Sequence, residues 1–160
     1  MAYPGVEPGI TMGVGPDQVL SRDTFLHFLD LEVKRSRRYQ NFFCILILKL
    51  SELPHRGNSR ELQACLQRLA HLLREEMRDS DILGTLEESR LAILLPYADL
   101  LAGGDTRSRF ENSLRYYDFS RDGYYVEIEQ VCFPRDGTDT PDLVEKMIGT
   151  KSNIHRQERV

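Results

Sequence analysis

The sequence lacks any apolar stretch long enough to span a membrane, and its first sixteen residues have neither the basic segment nor the apolar run of a signal peptide. It contains only four histidines, none paired at a metal-ligand interval, and three widely spaced cysteines within apolar segments. We therefore expect a cytoplasmic protein without a membrane partner or a zinc site. Its thiols should be buried and reduced, at Cys44, Cys65 and Cys132.

The sequence also lacks an excess of positive charge, because 25 Asp and Glu outnumber 21 Lys and Arg and the formal net charge is -4 at pH 7. This argues against a protein that binds nucleic acid through bulk charge. The 160 residues, 41% of them hydrophobic, suit one domain with one core. We predict a flexible, Gly- and Pro-rich leader at 1–18, a domain at 19–150 and a polar C-terminal tail at 151–160.

Hydrophobic periodicity predicts four helices and four strands. Helical spacing of apolar residues covers 21–39, 62–77, 99–117 and 138–147, and strand patterns cover 42–48, 81–86, 90–95 and 124–133. This order predicts an α/β (α+β) fold with a mixed central β-sheet flanked by helices. The two middle strands should form a tight hairpin, although its turn has neither the Gly nor the Asn that such turns favour.

Three local segments carry a resemblance to a known family. Arg37, Arg38 and Tyr39 before Phe43 match the pattern RRY-x-x-x-F-x-L-L-L-L. The segment 80–96 is similar to S-D-x-x-x-R-x-G-G-D-E-F-x-x-L-L-P, and 133–139 is similar to Y-P-x-D-G-x-D. In this order, the segments resemble a GGDEF (diguanylate cyclase) domain over roughly residues 19 to 147. The resemblance implies that fold, with the β-hairpin at the former active site.

The same alignment implies a degenerate active site. The signature GGDEF falls on Glu87, Glu88, Ser89, Arg90 and Leu91. The family's metal-binding aspartates correspond to Lys49 and Ser51, its early Gly-Asp pair to Leu62 and Gln63, and its guanine-recognising Asn to the shortened segment 54–58. Phosphoryl transfer needs divalent cations, which Lys49 and Arg90 would repel. The resemblance thus predicts that the chain is not an enzyme and has no metal or cofactor.

A second site of the family is matched more closely. Arg78 and Asp81 form the Arg-x-x-Asp pattern of its product-inhibition site, five residues before the signature, and Arg109 occupies the position of a further arginine. The resemblance implies that these three residues bind cyclic di-GMP. Only their position relative to the hairpin gives the pattern weight, because Arg115 and Asp118 match it as well. The alternative interpretation is structural, because an arginine at a helix C-terminus is favoured by the helix dipole and Asp81 could form a surface ion pair with Arg78. Arg109 alone is more typical of a solvated helix residue than of a ligand.

Three functions follow as hypotheses. We favour a cyclic di-GMP receptor, in which the ligand could also bridge two copies of the domain. The alternative is a nucleotide-independent protein interaction or dimerisation scaffold in bacterial signalling, with the basic segment 34–38 and the acidic pair Glu87 and Glu88 as partner surfaces. GTP binding without turnover ranks third, because that acidic pair would repel phosphates. The tripeptide Gly103-Gly104-Asp105 lies in a predicted helix, so we assign it no phosphate role.

Overall fold

The computed structural model describes residues 19–54, 62–87 and 89–158. In these residues, four helices and four strands follow one another in the order α1 (Arg22–Tyr39), β1 (Phe43–Glu52), α2 (Leu62–Glu76), β2 (Ile82–Glu87), β3 (Arg90–Pro96), α3 (Leu100–Leu114), β4 (Tyr124–Phe133) and α4 (Thr140–Glu158). A short 3-10 helix at Phe119–Asp122 precedes β4. The leader 1–18, most of the shortened segment 54–58 and Glu88 lie outside the described residues.

The sheet has the strand order β2-β3-β1-β4, and every pair of neighbours is antiparallel. The α+β class is therefore confirmed, whereas the predicted mixed sheet is not. Among the described residues, parallel pairing occurs only at Leu20, whose backbone bridges Gly84 at the outer edge of β2. An antiparallel β1–β3 pair follows from the order of the chain. The helix α2 returns the chain so that β2 runs in the direction of β1, and the β2–β3 hairpin then reverses the chain before β3 pairs with β1.

The apolar run of β1 explains why helices cover both sides of the sheet. Successive side chains of a strand point to opposite faces. Cys44, Leu46 and Leu48 therefore pack under α2 and α3, and Phe43 and Ile45 pack under α1 and α4. Both sets are fully buried, as the sequence predicts for a central strand covered on two sides.

Local signals place the starts of the helices and strands within two residues, whereas β1 continues past the predicted Leu48 to Glu52 and α3 ends at Leu114 instead of Tyr117. The Ser21 hydroxyl accepts a hydrogen bond from the Thr24 backbone at the start of α1, and the Asp99 carboxylate accepts one from Ala102 at 2.8 Å at the start of α3. The last helix differs from the prediction, because it continues to Glu158 instead of ending at Met147. Residues 148–158 contain no proline, and their single glycine weakens a helix without ending it.

The predicted reduced thiols are wrong for two of the three cysteines. Cys44 on β1 and Cys132 on β4 stand directly opposite each other and form a disulfide, with Cα atoms 4.1 Å apart. Cys65 keeps a buried thiol. The reason is the strand register, which brings together residues that are 88 positions apart in the sequence. Within the described part of the chain, no helix has the length and apolarity required to traverse a bilayer.

Candidate functional site

The hairpin end of the sheet gathers the residues aligned with the family's active site. Lys49 on β1 stands opposite Arg90 on β3 and Glu127 on β4. The β2–β3 ladder shifts register between Thr85 and Glu87, and this irregularity accompanies the turn that lacks a glycine. The structure thus brings Lys49 and Arg90 together, as the alignment predicts.

Arg90 is buried, being only 2% exposed, and its guanidinium points towards α4. Its Nη1 donates to the carbonyl oxygen of Met147 at 3.2 Å, and its Nε lies 3.5 Å from Oε1 of Glu87. A buried arginine needs such partners, because an unpaired guanidinium would carry a large desolvation cost. The side chain therefore joins the hairpin to α4, a contact that the sequence pattern did not reveal.

The other residues aligned with the active site lie in ordinary structural positions. The Ser51 hydroxyl donates to Glu127 at 3.0 Å, and Leu91 is buried in the core.

One carboxyl group near this end of the sheet has a shifted pKa. Burial raises the pKa of Glu129 on β4, the Arg90 charge opposes that rise, and the Glu127 charge adds to it. Across the ranges 19–54, 62–87 and 89–158, no three His, Cys, Asp or Glu side chains are grouped to hold a metal ion.

Arg78 and Asp81 are joined by the tight turn between α2 and β2. The backbone N–H of Arg78 donates to Oδ2 of Asp81 at 2.9 Å, and the backbone N–H of Asp81 donates to the carbonyl of Arg78 at 3.0 Å. Aspartate commonly closes turns in this way, because its short carboxylate reaches backbone groups nearby. The contact between the two residues is thus made through the Arg78 backbone, and the exposed Arg78 side chain is left outside it.

The Asp81 carboxylate is buried and incompletely hydrogen-bonded. Asp81 is only 8% exposed, and its Oδ1 has no hydrogen-bond partner among the described residues. Burial raises the pKa of this carboxyl, while the hydrogen bond from Arg78 and the charges of Arg78 and Arg109 act in the opposite direction. A buried acceptor without a donor costs about 1–3 kcal/mol, so this oxygen is an unusual feature of the fold.

Arg109 reaches the same place from the middle of α3. Its Nε lies 3.4 Å from Oε1 of Glu76, and its Nη2 donates to the Glu76 carbonyl at 3.2 Å. The structure therefore brings the three predicted residues together at the C-terminal end of α2. The sequence analysis did not identify Glu76 as part of this site. Its position in the last turn of α2, just before Arg78, was the sequence feature that could have indicated it.

The remaining candidates are distributed elsewhere. Gly103 and Gly104 lie within α3, as predicted, away from the hairpin. In the basic segment 34–38, Lys34 pairs with Asp30 of the same helix at 2.9 Å, and Arg37 donates to the carbonyl of Thr138 at 3.4 Å. Such contacts are typical of a solvated helix end.

Neither the family models nor the curated proteins searched give a match to this sequence, whereas solved structures do. The GGDEF domain of YfiN (TpbB) from Pseudomonas aeruginosa superposes with a TM-score of 0.74 at 17% identity, covering 88% of this chain and 92% of that chain. The active GGEEF domain of a diguanylate cyclase from Vibrio cholerae has a TM-score of 0.71 at 12% identity, with coverages of 88% and 93%. The GGDEF domain of DgcB from Caulobacter crescentus, in complex with c-di-GMP, has a TM-score of 0.69 at 10% identity, with coverages of 89% and 91%. The chain thus has the GGDEF-domain fold.

These likenesses contradict the prediction that the chain is not an enzyme. Proteins that share its fold include diguanylate cyclases, one of them described as active. At 10 to 17% identity the likeness concerns the fold alone, so neither cyclase activity nor its loss follows for this chain.

Proposed function

We propose that this chain binds cyclic di-GMP through Arg78, Asp81 and Arg109. The observation that carries the proposal is the buried Oδ1 of Asp81, which has no hydrogen-bond donor although two arginines lie near it. The oxygen is covered in this conformation, so a ligand reaches it only when the neighbouring side chains move. A ligand that then supplies N–H donors to the Asp81 carboxylate, and acceptors to the arginines, would satisfy all three residues at once.

Guanine has this combination of groups. Its O6 and N7 accept two hydrogen bonds from one guanidinium, and its N–H groups can donate to a carboxylate. The exposed Arg78 side chain has no hydrogen bond or ion pair among the described residues, although its charge acts on Asp81. It can therefore turn towards the base or a phosphate without breaking a hydrogen bond or an ion pair. Cyclic di-GMP carries two guanines and two phosphates, which matches a site with one carboxylate and two arginines.

Binding requires Arg109 to be shared with or released from Glu76. The Arg109 side chain is 46% exposed, and its contact with Glu76 is a partly solvated ion pair. Such pairs contribute only about 0–1 kcal/mol. The rearrangement is therefore small compared with two charge-assisted hydrogen bonds to a ligand, each about 1.5–3 kcal/mol. The complex of DgcB with c-di-GMP supports the proposal by fold analogy.

Calorimetric titration of the purified chain with cyclic di-GMP tests this proposal. We expect binding by the native protein, and at least a tenfold loss of affinity in Arg78→Ala and in Arg109→Ala, which corresponds to about 1.4 kcal/mol or more. Arg135→Ala is the matched control, because Arg135 is an exposed arginine outside the site, and it should bind normally. No heat at high micromolar ligand, or equal affinity in all three variants, would refute the proposal.

A protein-interaction role is the second candidate. It is favoured by an exposed apolar group between β3 and the start of α3, in which Tyr97 is 60%, Leu100 50% and Leu101 75% exposed. Clusters of this kind on a domain surface frequently mark interaction sites. A partner that co-purifies with the native chain, persists with Arg78→Ala and is lost with Leu101→Asp would support this function over the nucleotide site.

A further inference from the structure

A groove of about 310 Å³ lies at the C-terminal end of α3, beside the 3-10 helix and the first half of β4. Buried apolar side chains form its floor, among them Leu114, Phe119 and Ile128. This volume is at the lower end of the range for small-molecule sites, about 300–1,000 Å³. The groove therefore suits a single ring system and is too small for a dinucleotide.

The aromatic wall of the groove is held in place without a ligand. The hydroxyl of Tyr117 donates to Oδ2 of Asp122 at 2.5 Å and accepts from Nη1 of Arg68 at 2.8 Å. Its ring meets the ring of Phe119 edge to face, with centroids 4.5 Å apart. The Arg68 guanidinium also lies over the Tyr117 ring, 5.1 Å from its centroid. A wall fixed in this way favours ligand binding, because little side-chain freedom is lost.

The rim of the groove carries the second Arg-x-x-Asp pair of the sequence. The exposed Arg115 side chain makes no hydrogen bond or ion pair with any residue the structure describes. Oδ1 of Asp118 accepts from the backbone N–H of Ser120 at 3.1 Å and from the Ser120 hydroxyl, so the carboxylate is oriented by the start of the 3-10 helix. Its Oδ2 lies 3.9 Å from Nε of the exposed Arg121, a long ion pair on the surface. An uncommitted guanidinium and an oriented carboxylate thus border the same apolar groove.

We propose that this groove binds a purine base of the guanine type. The ring would lie between the apolar floor and the Tyr117 wall, with O6 and N7 facing Arg115 and the ring N–H groups facing Asp118. Adenine fits this pair poorly, because it presents an amino donor to the guanidinium and an unprotonated ring nitrogen to the carboxylate.

This groove is separate from the proposed cyclic di-GMP site. Arg115 is six residues after Arg109, which is about 9 Å further along the axis of α3. Asp81 and Glu76 do not line the groove. The two sites can therefore be tested with different variants of the same chain.

Titration with GMP tests the inference, with AMP as the matched ligand because it differs only in the base. We expect at least tenfold tighter binding of GMP than of AMP. GMP affinity should fall at least tenfold in Arg115→Ala and stay unchanged in Arg78→Ala. Because Arg115 is exposed, its variant should keep the native circular dichroism spectrum and melting temperature.

Three results would overturn the inference. The first is no GMP binding at millimolar ligand, and the second is equal affinity for GMP and AMP. The third is GMP affinity that is lost in Arg78→Ala but not in Arg115→Ala, which would place the base at the cyclic di-GMP site and support that proposal instead. Failure of cyclic di-GMP binding with retained, Arg115-dependent GMP binding would refute only the proposed function.

Discussion

Two adjacent glycines of α3 give a sharp test of how this helix packs on the sheet. A Cβ atom added at Gly103 would lie 2.6 Å from Nε2 of Gln130 and 2.7 Å from Sγ of Cys44. A Cβ added at Gly104 would meet no heavy atom within 4 Å. The same substitution, glycine to alanine, should therefore have opposite effects at neighbouring positions.

The magnitudes follow from two contributions. Each alanine stabilises the helix by about 0.5–1 kcal/mol relative to glycine, because it restricts the unfolded chain and favours helical geometry. Overpacking costs about 1–3 kcal/mol where the neighbours cannot move. The end of Gln130 can shift, but Cys44 is held by β1 and by its bond to Cys132. Gly104→Ala should gain about 0.5–1 kcal/mol and Gly103→Ala should be less stable than it by about 1–3 kcal/mol.

Urea unfolding followed by circular dichroism measures this difference, with equal m-values as the condition for comparing midpoints. For a chain of this length, each 1 kcal/mol also corresponds to about 2–4 °C in melting temperature. Equal stability of the two variants, or a more stable Gly103→Ala, would show that α3 does not approach β1 and β4 as described. Such a result would also remove the geometric basis for placing Arg109 beside Asp81.

Three further outcomes are expected. Because burial raises the pKa of Asp81 above its ordinary 3.8 and only the carboxylate accepts from guanine, cyclic di-GMP affinity should fall with decreasing pH before an ordinary aspartate would titrate. Calorimetric titrations at a series of decreasing pH values measure this fall, and an affinity that does not change with pH would contradict it. The other charged groups at the site are Arg78, Arg109 and Glu76. Glu76→Gln should remove the ion pair with Arg109, while the hydrogen bond to the backbone carbonyl stays, and should strengthen cyclic di-GMP binding by up to about fivefold, or 1 kcal/mol. Calorimetry showing weaker binding would contradict the role given to Arg109. In denaturant without reductant, thiol titration should find one reactive cysteine, and three would exclude the bond between Cys44 and Cys132.

The sequence by itself determined the helices, the strands and the local parts of the site. The apolar run of β1, the helical spacing in α1 and the caps at Ser21 and Asp99 are short-range signals, since each depends on residues a few positions apart. The same holds for Arg78 and Asp81, whose hydrogen bonds close one turn. Such features are visible in a sequence because their geometry is set by the local backbone.

Only the tertiary structure decided the contacts made across the sheet and between helices. The antiparallel register joins Cys44 to Cys132, and the packing of α3 against α2 places Arg109 beside Glu76. Both pairs are distant in sequence, and a shift of one residue in a strand turns its side chains to the opposite face. Burial also depends on these distant contacts. An aspartate in a turn is expected to expose its carboxylate, but packing of the surrounding elements covers Oδ1 of Asp81 and leaves it without a hydrogen-bond donor among the described residues.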